Sequence, residues 1–255
     1  MRHVSVIGIG TGNPDHLTLE AIKALQTVEV VFVADKGAEK GGLVRARREV
    51  CERAFGERPY RFVELPDPPR ERNPADYAAT VDAWHAARAE LYESAIAREI
   101  GEGGRGAFLA WGDPSLYDST LRILDRIVAR GRVAFRYEVI PGISSVQVLA
   151  ARHRTALNRI GGPVLLTTGR ALADGLPPDA DSTVVMLDGA PRFDHLDPEL
   201  TIFWGAYLGS QDEITLSGRL GSVGPEILRV RAEARARHGW IMDVYLLRRP
   251  DGTPD

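Results

Sequence analysis

The stretch VIGIGTGNPDHLTL, residues 6–19, runs from an apolar segment through a glycine-rich turn to the start of a helix. Residues 3–9 are typical of a buried strand. This segment ends in a turn with three glycines, Gly8, Gly10 and Gly12, which let the backbone turn sharply and approach a ligand. Thr18 can cap a helix that reaches about Gln26. The order strand, turn, helix predicts the first repeat of a parallel α/β sheet.

The same alternation continues through the first half of the chain. Strands are predicted at 28–34, 60–65, 107–111 and 135–140, and helices at 43–54, 75–100, 120–129 and 144–151. This order predicts a mainly parallel sheet with helices on its faces. After residue 158 the pattern changes to strands at 164–168, 183–187, 202–208, 213–220 and 240–248, with one clear helix at 225–238. We therefore predict two α/β lobes, 1–158 and 159–255, the second with a mixed sheet.

Composition excludes several classes of protein. The chain has 255 residues, 44% hydrophobic and 26% charged, with a net charge of -3, which is typical of a soluble globular protein and unlike a nucleic-acid binder. Its one cysteine, Cys51, cannot form an internal disulfide or a thiol metal site, and the six histidines lack metal-binding spacing. No apolar run approaches a membrane span, and the first residues lack the features of a leader. We expect a cytoplasmic protein with no metal.

Two further turns follow predicted strands. Gly112-Asp113-Pro114 comes after 107–111, and Pro141-Gly142-Ile143-Ser144-Ser145 comes after 135–140. Binding sites of parallel sheets lie at the carboxyl ends of the strands, so we expect these turns and the first glycine turn to meet.

Each turn has other interpretations when taken alone. The first is half of a dinucleotide fingerprint, with Asn13 in place of the third glycine and Asp35 as a ribose-binding carboxylate, which would indicate a nicotinamide-dependent oxidoreductase. It could equally be a tight turn without a ligand. Ser144 or Ser145 could simply cap the following helix.

Taken together, the three turns resemble the signatures of the tetrapyrrole methylase family over nearly the whole chain. The matching segments are residues 6–19, Trp111-Gly112-Asp113-Pro114 and Val139-Ile140-Pro141-Gly142-Ile143-Ser144-Ser145, with a looser match at Ala206, five residues before Gln211. The resemblance implies a homodimeric methyltransferase of two α/β lobes that binds S-adenosylmethionine in the cleft between them.

The resemblance also implies positions for the methyl donor. They are Pro14, Trp111, Gly112, Asp113, Leu116, Ser144 and Ser145 around its methionine part, and Leu187, Asp188 and Ala206 near its adenosine. The chain departs from many relatives in one of these places, because Leu187-Asp188-Gly189 stands where they carry Tyr-Met-Gly.

Residues 33–37 and 68–72 resemble one branch of the family, which methylates the corrin precursor precorrin-5 at C-1 and releases acetate. Methyl transfer itself needs mainly positioning of the reactants. Acetate release needs a base or an oriented water. Asp35 is the first candidate for the base, although a helix cap or a solvated carboxylate fits it equally well, and Tyr117 is a candidate for orientation.

The tetrapyrrole substrate of that branch carries many carboxylates, and guanidinium groups match carboxylates in geometry. We assign the glycine turn, at Gly10 and Gly12, and the arginines Arg45, Arg70 and Arg72 to substrate binding; the alternative for each arginine is a solvated surface position. Another corrin or sirohaem methylase, and a donor-binding protein without activity, are the remaining alternatives.

Overall fold

The computed structural model describes residues 1–35, 41–56, 58–69, 71, 76–172 and 175–250, without the side chains of 34, 35 and 41–46. Within these ranges the chain divides into two compact units, Met1–Ser144 and Ser145–Asp255. Each unit contains one five-stranded sheet.

The first unit is a parallel α/β sandwich, as the alternation of strands and helices predicted. Its strands are β1 (Arg2–Gly8), β2 (Val30–Asp35), β3 (Arg61–Pro66), β4 (Arg105–Ala110) and β5 (Phe135–Ile140). Its helices are α1 (Leu19–Leu25), α2 (Gly41–Phe55), α3 (Tyr77–Glu99) and α4 (Thr120–Arg130). The strand order is β3-β2-β4-β1-β5, and every pair of neighbours is parallel.

Alternating side chains of these strands build two cores, one on each face of the sheet. Phe32 and Phe108 pack with Tyr92 of α3 on one face, whereas Val31 and Leu109 pack toward α1 and α2 on the other. Successive residues of a strand point to opposite faces, so a sheet covered on both sides needs apolar residues at nearly every position. The apolar runs in the sequence follow from this requirement.

The second unit has a mixed sheet, as predicted. Its elements are α5 (Ser145–His153), β6 (Val164–Thr168), β7 (Ser182–Met186), β8 (Thr201–Ala206), β9 (Ile214–Arg219), α6 (Leu220–His238) and β10 (Asp243–Arg248). The strand order is β6-β7-β10-β8-β9; β6 and β7 are parallel, and the other neighbours are antiparallel.

The second unit begins at Ser145, earlier than the predicted boundary at 158/159. Helix α5 packs on β8, β9 and β10, and His153 at its end lies 3.0 Å from the Trp204 carbonyl oxygen through its Nε2 atom. These are contacts between residues distant in the chain, so the local sequence pattern carried no sign of them.

Helix α6 also begins earlier than predicted, at Leu220 and not at Pro225. The amides of Leu220 and Gly221 donate to the carbonyl oxygens of Leu200 and Pro198, at 2.7 and 2.9 Å. Tertiary hydrogen bonds therefore supply the helix start, and Pro225 lies inside the helix.

Among the described residues, no helix has the combination of length and apolar composition that a membrane span requires.

Candidate functional site

The three turns of the first unit meet at one edge of its sheet. They follow β1, β4 and β5, which are adjacent, with β1 in the middle. The registers pair Gly8 with Ala110 and Ile7 with Ile140, so the three strands end at the same level. The expected convergence at the carboxyl edge is therefore observed. We call the three turns, residues 8–14, 111–117 and 141–144, the glycine corner.

Backbone hydrogen bonds connect the parts of the glycine corner directly. The amide of Gly112 donates to the carbonyl oxygen of Gly10 at 2.7 Å, and the amide of Gly10 donates back to Gly112 at 3.3 Å. The Gly142 amide donates to the Asp113 carboxylate, 2.9 Å from Oδ2. The first turn is thus bonded to the second, and the second to the third.

The glycines in this corner are required by backbone packing. A Cβ atom on Gly142 would lie 2.1 Å from the Gly112 carbonyl oxygen, and one on Gly8 would lie 2.6 Å from the Gly142 nitrogen. Gly10 has a φ of +72°, and a Cβ there would lie 2.7 Å from the Cβ of His16. Close approach of one chain segment to another, and not only approach of a ligand, therefore explains why these positions are glycine.

Asp113 is the charged group of the glycine corner. Its Oδ1 accepts from the Ser115 amide at 2.8 Å and from the Ser115 hydroxyl, while Oδ2 accepts from Gly142. Burial opposes ionisation, but the hydrogen bonds from Ser115 and Gly142 outweigh it, and the pKa of Asp113 lies below its usual value. Asp113 is therefore ionised at neutral pH, and it forms no ion pair with any described residue.

The other expected donor positions of the first unit lie close in the chain to these bonds. Pro14 begins a short 3-10 helix, Pro14–His16, whose cap is the Asn13 side chain accepting from the Asp15 amide. Trp111 and Leu116 are half-buried and flank Gly112 and Asp113, while Ser144 is buried and Ser145 opens α5.

Tyr117 has a left-handed backbone, with φ of +52°, and its side chain is 44% exposed. Such a conformation is uncommon for a residue other than glycine and tends to occur at functional sites. Burial raises the pKa of Tyr117, so its hydroxyl keeps its proton at neutral pH.

In the second unit, the predicted adenosine positions lie at the ends of β7 and β8. Both strands pair with β10, where Val244 is opposite Met186 on one side and Gly205 on the other. Leu187 and Ala206 therefore lie at the same sheet edge. Leu187 has a φ of +55° and is 67% exposed, whereas Ala206 is buried.

Asp188 is held in place by neighbours that the sequence did not reveal. Its Oδ2 accepts from the Tyr245 hydroxyl at 2.7 Å, and its carbonyl oxygen accepts from Nη2 of Arg231 at 2.7 Å. Nε of Arg231 also bonds to Oδ2 of Asp243 at 2.8 Å, and both of these side chains are buried. This clamp, Arg231, Asp243 and Tyr245, fixes the backbone beside the strained Leu187.

A cavity of about 360 Å³ opens next to the clamp in the second unit. Asp188, Tyr245, Arg192 and His195 contribute to its walls. Nε2 of His195 lies 2.9 Å from the carbonyl oxygen of Leu172, another wall residue.

Four predicted residues lie partly or wholly outside the residues that the structure describes. Asp35 ends β2 opposite Pro66, and Arg45 lies on α2, but neither side chain is described. Arg70 and Arg72 lie outside the described residues. No group of three or more histidine, cysteine, aspartate or glutamate side chains in the described ranges could hold a metal ion.

Comparison with known proteins gives a match along most of the chain. Residues 3–224 match the model of the family described as Tetrapyrrole (Corrin/Porphyrin) Methylases. A Sinorhizobium protein named Precorrin-6A synthase [deacetylating] is 52% identical over 250 residues, covering 98% of this chain and 96% of that protein.

Solved structures give the same assignment of the fold. The crystal structure of a cobalamin synthesis related protein (CobF) from Corynebacterium diphtheriae is 38% identical, with a TM-score of 0.84, and covers 98% of this chain and all of that one. A uroporphyrin-III C-methyl transferase from Thermus thermophilus, solved in complex with S-adenosylhomocysteine, is similar in fold only, at 19% identity and a TM-score of 0.57, with 96% of each chain covered. The family match replaces the nicotinamide interpretation of the first turn.

Proposed function

Because the chain belongs to the tetrapyrrole (corrin/porphyrin) methylase family, we propose that it is the deacetylating precorrin-6A synthase of cobalamin synthesis. It transfers a methyl group from S-adenosylmethionine to C-1 of precorrin-5 and releases acetate. The observation that carries this proposal is the 52% identity to the Sinorhizobium synthase, which extends over 98% of the chain. Matches to other corrin and sirohaem enzymes are 28–30% identical and cover 55–71% of the chain.

The charge of the glycine corner suits the methyl donor. The donor carries a sulfonium and an ammonium group, both positive, and supplies an electrophilic methyl group. Asp113 presents a carboxylate that pairs with no cation in the described ranges and that Ser115 and Gly142 hold in place by hydrogen bonds. Attraction between opposite charges in a partly buried site favours binding of the donor there. We place its methionine part against Pro14, Trp111, Gly112, Asp113, Leu116, Ser144 and Ser145.

The end of β7 suits the adenosine part. Leu187 offers an exposed apolar side chain, which can pack on the face of a base. Ala206 at the end of β8 is buried, so we assign to it only a backbone contact with the nucleoside. The Asp188 carboxylate already bonds to Tyr245, so we assign to Asp188 the role of orienting this loop, with its backbone available to the nucleoside.

Acetate release requires water to attack the acetyl carbonyl carbon and the bond between that carbon and the macrocycle to break. Its electron pair passes to the macrocycle, and a base takes the proton of the water. We retain Asp35 as the base, because it ends β2 at the carboxyl edge of the sheet. Tyr117, protonated at neutral pH, can donate a hydrogen bond that orients the carbonyl.

The tetrapyrrole itself is proposed to lie against the first turn, at Gly10 and Gly12, with Arg45, Arg70 and Arg72 facing its carboxylates. Gly12 has a φ of +111°, and a Cβ there would lie 3.5 Å from the Trp111 ring. A side chain at this position would thus be strained even before it reached the substrate.

The decisive experiment supplies precorrin-5 and methyl-labelled S-adenosylmethionine to the purified protein. We expect equal molar amounts of methylated corrin and acetate. Methylation without acetate would identify a different corrin methylase, and no methylation would refute the proposal. In the Asp35→Asn variant we expect unchanged binding of S-adenosylhomocysteine and slower acetate release, and an unchanged rate would exclude Asp35 as the base.

We also propose that the enzyme is a cytoplasmic homodimer. Light scattering during gel filtration should give twice the chain mass of 27.9 kDa. A mass equal to that of one chain would contradict the dimer.

A further inference from the structure

Arg47 of α2 is a half-buried cation that forms no ion pair with the described residues, although the Asp118 carboxylate acts on it electrostatically. Its guanidinium carbon lies 4.9 Å from the centre of the Trp111 ring, and it forms no ion pair or hydrogen bond with any described residue. Burial lowers the pKa of Arg47 to about 10; Asp118 opposes this change and Arg88 adds to it. Withdrawing a charge from water is costly unless an opposite charge compensates it, so an unpaired arginine here needs an explanation.

Near Arg47, two further buried donors have no hydrogen-bond acceptor among the described residues. Arg88 is only 5% exposed; its Nε bonds to Asp67 at 2.7 Å and its Nη1 to Ser119 at 3.4 Å, but its buried Nη2 has no hydrogen-bond partner within the described ranges. The indole Nε1 of Trp111 is likewise buried, and no described residue accepts a hydrogen bond from it. More than nine in ten buried polar groups find a partner in folded proteins, so unpaired donors in one region indicate that an acceptor is missing.

These donors belong to one neighbourhood at the carboxyl edge of the first sheet. Arg47 lies over Trp111, which directly follows β4 in the glycine corner, and Arg88 bonds to Asp67, which directly follows β3. Arg88 also lies 5.8 Å from the Tyr92 ring centre, and the charges of Arg47 and Arg88 both act on the Tyr92 hydroxyl. The missing acceptor is therefore expected at the edge where the substrate is proposed to bind.

We propose that Arg47, supported by Trp111 and Arg88, binds a peripheral carboxylate of the tetrapyrrole substrate. The assignment rests on the proposed function, because it takes the substrate to be a polycarboxylate. A guanidinium presents parallel N–H groups that match both oxygens of a carboxylate. The Trp111 ring centre, 4.9 Å from the guanidinium carbon of Arg47, lies within the range of a cation–π contact, which helps to hold Arg47 in place.

The test compares Arg47→Gln with Arg48→Gln, its neighbour on the same helix. Arg48 is exposed, lies over Phe62 and pairs with Glu64 at 3.5 Å, so it controls for loss of one positive charge on α2. For Arg47→Gln we expect the KM for precorrin-5 to rise about 10- to 100-fold, as for loss of a charged hydrogen bond. The kcat and the Kd for S-adenosylhomocysteine should stay within about threefold of wild type, and Arg48→Gln should leave all three values unchanged.

Two more measurements separate a carboxylate contact from a structural role. Arg47→Lys should restore only part of the lost affinity, because lysine keeps the charge without the planar fork. The KM for precorrin-5 should rise with salt more steeply in wild type than in Arg47→Gln, since the variant lacks one ion pair to be screened. If Arg47→Gln does not fold, Arg47→Lys serves as the test, with a smaller increase in KM expected.

An unchanged KM for precorrin-5 in the folded Arg47 variants would overturn the assignment. So would a matching loss of affinity for S-adenosylhomocysteine, which would mean that Arg47 binds the carboxylate of the methyl donor. A wild-type protein that does not methylate precorrin-5 would instead refute the proposed function, so the two failures are distinguishable in one set of assays.

Discussion

Replacing Gly142 by alanine should destabilise the glycine corner strongly, because the added methyl group has no space there. The new Cβ would lie 2.1 Å from the Gly112 carbonyl oxygen, where ordinary contact begins at 3.4 Å, so the backbone segments must separate by about 1.3 Å. The atoms in the way are backbone atoms of Gly8 and Gly112, which cannot rotate aside as a side chain can.

The expected loss of stability follows from the contacts that would break when these backbone segments move apart. Overpacking costs about 2 kcal/mol. Loss of the hydrogen bond from the Gly142 amide to Asp113, and of the one from the Gly10 amide to Gly112, would each lower the free energy of unfolding by about 1 kcal/mol. We therefore expect the free energy of unfolding of the first unit to fall by roughly 4 kcal/mol, and its Tm by about 8–16 °C.

Urea unfolding measures the loss of stability. Calorimetric titration with S-adenosylhomocysteine measures the affinity for that ligand, which should fall at least tenfold. The matched control is Gly101→Ala, since a Cβ on Gly101 would meet nothing within 4 Å, and it should change stability by less than about 0.5 kcal/mol. If Gly142→Ala behaved like this control, the tight backbone packing of the corner would be refuted.

Three other predictions concern single groups. For Asp113→Asn we expect a stability loss of about 1 kcal/mol at pH 7. Because the folded-state pKa of Asp113 is depressed, its contribution is present above the unfolded value of 3.8 and is lost as pH falls through the folded value. Urea titrations of the two proteins should therefore converge as the pH is lowered below 3.8, and a constant difference would contradict this. Asp243→Leu should lower the free energy of unfolding by about 3–5 kcal/mol, because it leaves Arg231 buried without its carboxylate partner. The double variant Asp243→Leu with Arg231→Met should lose less than the sum of the two single variants, and strict additivity in this cycle would argue against the clamp. Burial raises the pKa of the Cys51 thiol to about 12. The native protein should therefore resist thiol reagents at pH 8 and react with one equivalent only after denaturation, and rapid labelling of the native protein would contradict the burial of Cys51.

Much of the first unit could be predicted because the signals are local. Strand β5 has the predicted bounds, and Thr18 caps α1 as expected, its hydroxyl accepting from the Ala21 amide at 3.0 Å. The position of the glycine corner also followed from local patterns, since any turn after a strand of a parallel sheet lies at the carboxyl edge. Adjacency of β4, β1 and β5 then brought the three turns into contact.

The features that the sequence did not reveal depend on partners distant in the chain. Arg231 and Tyr245 show no motif, yet both bind Asp188, more than forty positions earlier in the sequence. Arg47 is one of several arginines on α2, and only its position over Trp111, without an ion pair to a described residue, distinguishes it from exposed Arg48. A charge whose partner is missing becomes recognisable only when burial is known.

The most direct test of the account is a crystal structure of the protein with S-adenosylhomocysteine. We predict that its amino-acid part contacts Trp111, Gly112 and Asp113, with its ammonium group near the Asp113 carboxylate. Density for the nucleoside away from the glycine corner, or a corner closed to it by side chains, would contradict the central claim that these three turns form the methyl-donor site.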